Sequence, residues 1–343
     1  MKRLKVIFLG IYIWVGILLM QPYLKANSTS PENFSTFTEW CLNQTNISPT
    51  SQYTVKILLQ KARTNDCIEA DKKLSSLSAL SLNNNYIINI APISSLKNLT
   101  KLSLNANQIQ ELSPLSNLHK LTHLFLDSNK IEDIYDLSEL TNLTYLELND
   151  NRIKNISPLS SLTKLTNLSL IFNQIENVSS LSNLTTLTEL NIGVNRVTNI
   201  KPLANLTNLT HLYLNDNQLR KIAPLSNLTN LTNLYLYRNQ ISDISSLSNL
   251  TNLTYLNLSD NYITEVSNLS SLRNLKILIL VFNQITKIDS LSTLTNLNLL
   301  DLSRNKITDI NSLSTLIKLD VLNLRNNPVA RICPLQPESI CRF

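Results

Sequence analysis

Apolar residues recur along the chain in the frame L-x-x-L-x-L-x-x-N-x-I, with a period of 22 residues. The first clear instance is Leu77, Leu80, Leu82, Asn85 and Ile87, and the last is Leu319, Leu322, Leu324, Asn327 and Val329. Twelve copies fit without an insertion or deletion, each marked by one asparagine, from Asn85 through Asn217 to Asn327. Within the frame, L-x-L alternates with period two, which predicts a short strand with its leucines facing inward. One such unit cannot bury its apolar face alone. Stacked copies join the strands into a parallel sheet and the leucines into one continuous core.

The framing asparagine stands where the chain leaves the strand. An amide side chain carries both donor and acceptor, so there it can satisfy backbone groups of the turn and of the neighbouring repeat. By this register Asn217 points inward and Asn215, two residues earlier, points outward. The remainder of each unit reads like Ile-x-Pro-Leu-Ser-Asn-Leu-Thr-Asn. Pro92, Pro114, Pro158, Pro202, Pro224 and Pro334 share one column. Proline fixes φ and lacks a donor, and the segment is short, so the convex side is expected to hold 3₁₀ turns and extended chain. The expected fold is an α/β repeat solenoid, a horseshoe or arc with a concave parallel sheet.

From Leu77 to Ala330 the repeat resembles the leucine-rich-repeat family. The match is to its 22-residue class, which includes the internalins and the phosphatase-regulatory-subunit type. The paired cysteines and caps at the two ends look like those of exported bacterial repeat proteins, cyanobacterial ones in particular. Internalins acting as surface adhesins carry further domains and an attachment segment after the repeats. Neither follows here, so host-cell adhesion is not carried over. The phosphatase-regulatory type works inside the cell, which an export signal would contradict.

Residues 1–26 read as a signal peptide. Lys2, Arg3 and Lys5 form a basic start, Val6 to Met20 an apolar run, and Leu24-Lys25-Ala26 an imperfect cleavage site. An uncleaved anchor is the alternative, since the apolar run approaches the roughly 17 residues needed to span a bilayer. Four of the chain's cations and none of its acids lie in this leader, so the net charge of +6 overstates a nearly neutral body. Such a body is no footprint for nucleic acid. Four cysteines follow the leader, two before the repeats and two after. In an exported chain this argues for disulfides, and we pair Cys41 with Cys67 and Cys333 with Cys341. Residues 27–76 are assigned to an N-terminal cap with a short amphipathic helix at Thr54–Lys61, residues 77–330 to the repeats, and residues 331–343 to a C-terminal cap.

Catalytic signals are weak. His119, His123 and His211 have no nucleophile or carboxylate patterned beside them. Gly193 is the one glycine after the leader, which excludes a glycine-rich phosphate loop. The cysteine spacing lacks zinc-type pairs. The sequence therefore suggests no enzyme, no cofactor and no metal.

The outward strand columns are more informative. In the column between the paired leucines, Ser81, Ser103, Ser169, Asn191, Asn257 and Asn323 are small or polar, whereas Tyr213 and Tyr235 share that column in adjacent repeats. Tyr237 lies two residues beyond Tyr235, and Tyr255 one repeat further in the preceding column, with His211 and Arg238 at the margin. These six residues form the candidate binding site. Ile277, Ile279, Val281, Phe282 and Leu299 form a second candidate patch, which could instead be a dimer contact. Large apolar groups do not gather on a solvated sheet face without cause. The expected function is that of an exported binding module, periplasmic, cell-surface or secreted. Its ligand is a protein, with a glycan as the less favoured choice. A structural or self-associating envelope protein is the alternative, and an enzyme ranks third.

Overall fold

The computed structural model describes residues 34–343. The leader, its cleavage site and the first residues of the N-terminal cap lie outside the described residues. Twelve three-residue strands follow one another at the repeat period: β1 (Ala79–Ser81), β2 (Lys101–Ser103), β3 (His123–Phe125), β4 (Tyr145–Glu147), β5 (Asn167–Ser169), β6 (Glu189–Asn191), β7 (His211–Tyr213), β8 (Asn233–Tyr235), β9 (Tyr255–Asn257), β10 (Ile277–Ile279), β11 (Leu299–Asp301) and β12 (Val321–Asn323). They pair in sequence order, all parallel, in one open sheet. The central leucine of each strand is buried, as Leu212 and Leu234 illustrate, while its two neighbours face out. The solenoid expected from the frame is the observed fold.

Three ladders of side chains hold the repeats in register. The framing asparagines form the innermost. Asn217 donates from Nδ2 to the carbonyls of Ile192 and Leu214, and its Oδ1 accepts the Val197 N–H at 2.8 Å. Each such amide thus joins its own turn to the preceding repeat, where unpaired buried backbone groups would be costly. Asn85 has no repeat before it and donates only to its own Asn83 carbonyl. On one flank of the strands, threonine hydroxyls from Thr100 to Thr254 each donate to the carbonyl one repeat earlier. On the other, Asn83, Asn105, Asp127 and Asn149 each accept the backbone N–H of the next repeat, ending at Ile171.

The residue before each framing asparagine has positive φ. This sharp turn explains why every strand is so short. The convex side carries 3₁₀ helices, and Pro92, Pro114, Pro158, Pro202 and Pro224 sit in their first turns. There the missing N–H costs nothing. Pro334 continues the column in sequence, but no 3₁₀ helix forms around it; the C-terminal one is Glu338–Ile340.

The N-terminal cap holds three helices: α1 (Phe37–Leu42), α2 (Pro49–Ala62) and α3 (Cys67–Ser75). The helix expected at Thr54–Lys61 lies within α2, which starts earlier because Ser48 caps it and Pro49 occupies its first turn. Thr54 on α2 donates to the Asn89 carbonyl at 2.6 Å, docking the cap on the first repeat. The Cys41–Cys67 disulfide ties α1 to α3, and Cys333–Cys341 closes the other end. There Cys341–Arg342 adds a thirteenth strand, β13, parallel to β12. It covers the sheet edge that the twelve frames leave open. No helix among the described residues is long and apolar enough to cross a membrane.

One inward–outward assignment is corrected. Asn215 does not project into solvent: it is 4 % exposed, less than Asn217 at 8 %. Gly193, beside it in the preceding repeat, has no side chain, and the Asn215 amide occupies the space so left. Its Nδ2 donates to Asp216.

Candidate functional site

The concave face is built from the first and third residues of each strand. Parallel register places Tyr213 beside Tyr235, and their rings stack with centroids 4.5 Å apart. Tyr255 stands in the other column of β9, yet its ring reaches diagonally to stack on Tyr235 at 4.6 Å. These three rings form one continuous stack. Burial raises the Tyr213 and Tyr255 phenols above the ordinary tyrosine range, with Tyr235 contributing to both. They are therefore neutral at physiological pH, offering an apolar face and a hydroxyl.

Tyr237 does not join the stack. It follows the end of β8, and burial raises its phenol, with the nearby charge of Asp216 acting in the same direction. Arg238 lies at the rim, 3.3 Å from Asp216 and 3.9 Å from Asp260, as the centre of an exposed charge ladder across three repeats. His211 is on β7, its Nδ1 2.9 Å from the Thr210 hydroxyl.

The second patch is contiguous with the first. Ile277 pairs with Tyr255 on one side and with Leu299 on the other. Leu299 in turn pairs with Val321, a member of this column that the sequence reading passed over. The result is one stripe, Tyr213–Tyr235–Tyr255–Ile277–Leu299–Val321, across six strands. Ile279 widens it at β10. Val281 follows that strand, and Phe282 projects at the margin with φ 58° and 54 % exposure.

A further aromatic group lies at the other end of the same face. Tyr145 stacks on His123 at 5.8 Å and contacts Phe125 at 5.3 Å, while the Lys101 ammonium sits 5.1 Å from the Phe125 ring centre. The Tyr145 hydroxyl donates to Glu147 at 2.7 Å, and this bond pushes its phenol up to about 12. Burial pushes Asp127 up to about 6, with the neighbouring Glu147 charge adding to the effect. Phe125, Tyr145 and Glu147 stand in the columns that singled out the tyrosines, so their sequence signal was present. What it lacked was the contact between adjacent columns. Among the described residues no cluster of three His, Cys, Asp or Glu side chains is placed to hold a metal.

Comparison with known proteins gives a consistent picture. A family model described as leucine-rich repeats in two copies matches residues 75–117, 97–139, 141–183, 185–227, 229–271 and 273–315. An internalin (inlF) from Listeria monocytogenes is 32% identical, with a TM-score of 0.73, over 87% of this chain and 98% of that one. The leucine-rich-repeat protein LIC12759 of Leptospira interrogans shares the fold at 23% identity and TM-score 0.64, over 87% of this chain and 94% of its own. The ectodomain of the receptor kinase GASSHO1/SCHENGEN3 from Arabidopsis thaliana, in complex with Casparian strip integrity factor 2, is 26% identical with a TM-score of 0.61. That match covers 76% of this chain and 37% of the receptor. No curated protein sequence matches the chain.

Proposed function

The chain belongs to the leucine-rich repeat family, and we propose that it is an exported binding module that recognises a protein ligand on its concave face. The observation that carries this reading is the stack of Tyr213, Tyr235 and Tyr255 on a sheet face where half of the repeats place Ser or Asn in the column of Tyr213 and Tyr235. Stacked tyrosines give a large, preordered contact area at little entropic cost and keep hydroxyls for hydrogen bonds. Aromatic anchors with a polar rim are what protein interfaces use at their centres. The Arabidopsis receptor ectodomain, similar over 76% of this chain, is found in complex with Casparian strip integrity factor 2. Export is supported by the leader sequence and by two disulfides, which persist in oxidising compartments.

A second reading is self-association through the aliphatic half of the stripe, Ile277, Ile279 and Leu299. Sedimentation of the purified chain separates the two. A monomer that binds a different protein through Tyr213 and Tyr235 is the expected result. A dimer dispersed by Ile279→Asp would favour the second reading. For the first, native chain and Tyr213→Ala/Tyr235→Ala chain serve as parallel baits on envelope extract. A partner retained by the native chain and lost by the variant, at equal thermal stability, is expected. Equal retention by both places the site elsewhere.

A further inference from the structure

The concave face is divided by charge. From β3 to β12 its outward strand residues include Glu147, Glu189 and Asp301 and no Lys or Arg. Glu147 and Glu189 line a notch of about 80 Å³ together with Tyr145, Asn167 and Ser169. Asp127 stands beside Glu147. Each of the two glutamates accepts from a neutral donor, Tyr145 Oη at 2.7 Å and Asn167 Nδ2 at 3.0 Å. Neither is paired with a cation among the described residues. The notch has room for one ammonium or guanidinium group walled by a tyrosine ring. Beyond it, starting at β7, the same face turns apolar. There the stripe is narrow and flanked by His211, Asn233, Asn257 and Asp301.

We propose that the ligand presents an extended polypeptide segment, cationic at one end and apolar at the other, lying across the strands from the Glu147–Glu189 notch to Leu299. The proposal rests on the concave-face reading and adds the chemistry of the partner. Charge complementarity fixes the cationic end. The stripe fixes the apolar end. The flanking amides and carboxylate supply partners for an extended backbone, whose N–H and C=O groups need them when buried. Strands are spaced about 4.8 Å apart, so the notch lies roughly 14 Å from Tyr235 and roughly 29 Å from Leu299. At about 3.3 Å per residue the segment needs about four residues to the first and about nine to the second.

The test selects displayed random twelve-residue peptides on the purified full chain and measures the winners on two variants. Glu147→Gln/Glu189→Gln keeps shape and removes charge; Tyr213→Ala/Tyr235→Ala removes the stack. Thermal melts confirm that both are folded. The enriched peptides are expected to carry Arg or Lys about four residues from an aromatic or aliphatic cluster. The Gln variant should bind them at least about tenfold more weakly, with most of the salt dependence gone. Winners without a cation, or native and Gln-variant affinities within about twofold, overturn the proposal, as does a failure to enrich any peptide. Loss in the Tyr variant alone leaves the concave-face reading standing and removes the charge assignment. No loss in the Tyr variant removes that reading itself.

Discussion

Asn215 packs over Gly193 so closely that a Cβ at Gly193 would lie 2.8 Å from the Asn215 Oδ1. The pair is a small-for-large exchange between adjacent repeats: one gives up its side chain, and the other buries a polar one in the vacated space. Gly193→Ala forces the Asn215 amide out of that space and is therefore expected to destabilise the chain by about 1 kcal/mol, the low end of the cost of overpacking. In an Asn215→Ala background the added methyl meets no amide, so the same substitution should cost much less. A double-mutant cycle in urea measures this. Additive effects would contradict the packing relationship.

The framing asparagines make a second prediction. Asn217→Ala removes the acceptor of the Val197 N–H and the donor to Ile192 and Leu214. It should cost about 1–3 kcal/mol, because those groups stay buried. Gln218, the next residue, is exposed, and Gln218→Ala should change stability by less than about 0.5 kcal/mol. Equal shifts in denaturant midpoint would mean that Asn217 does not join the repeats.

Much of this architecture is legible in the sequence because the frame repeats without a break. Period two within L-x-L sets the buried leucines, and period 22 sets the register, so Tyr213 and Tyr235 could be placed side by side. Other features depend on neighbours that periodicity does not see. Tyr255 occupies a different column, and only the length of its ring carries it diagonally onto Tyr235. Asn215 sits in an outward position and is buried because one particular neighbour is glycine. In the cap, α1 opens with a capping box in which Thr36 and Glu39 bond reciprocally, and Asp66 caps α3. Both signals are local, but each helix is too short to display a clear apolar period. The column of first strand residues, Tyr255, Ile277 and Leu299, extends by the same period to Val321, which pairs with Leu299.

Asp127 gives a pH prediction. Its Oδ1 accepts the Asn149 N–H at 2.8 Å, the bond that neutral Asn105 and Asn149 make elsewhere in the same ladder. Burial raises its carboxyl to about 6, against about 3.9 for an unfolded aspartate. Between these values the folded chain holds a proton that the unfolded chain has released. The residue's contribution to stability is therefore full near pH 4 and is lost as pH rises through about 6. Asp127→Asn keeps the acceptor without the charge. The variant should melt a few degrees above the native chain near neutral pH and converge with it toward about pH 4. An offset that stays constant with pH would contradict this.

Val194 holds φ 52° in the turn column where Asn84 and Asn326 hold φ 59°. A left-handed conformation costs an L-residue roughly 1–2 kcal/mol and suits asparagine far better than a β-branched side chain. Val194→Asn should stabilise the chain by on the order of 1 kcal/mol. A lower denaturant midpoint would show that Val194 makes compensating contacts.

The central claim is that the ligand lies on the concave tyrosine stripe. A photo-crosslinking amino acid placed at Asn257, between Tyr235 and Ile279 in the register, tests it most directly. The same group at Asn249, exposed on the convex 3₁₀ segment, is the control. Irradiation of the chain in its native cell should trap a different protein through position 257 and not through position 249. Trapping from 249 alone, or a product at 257 made only of two copies of this chain, would contradict the account.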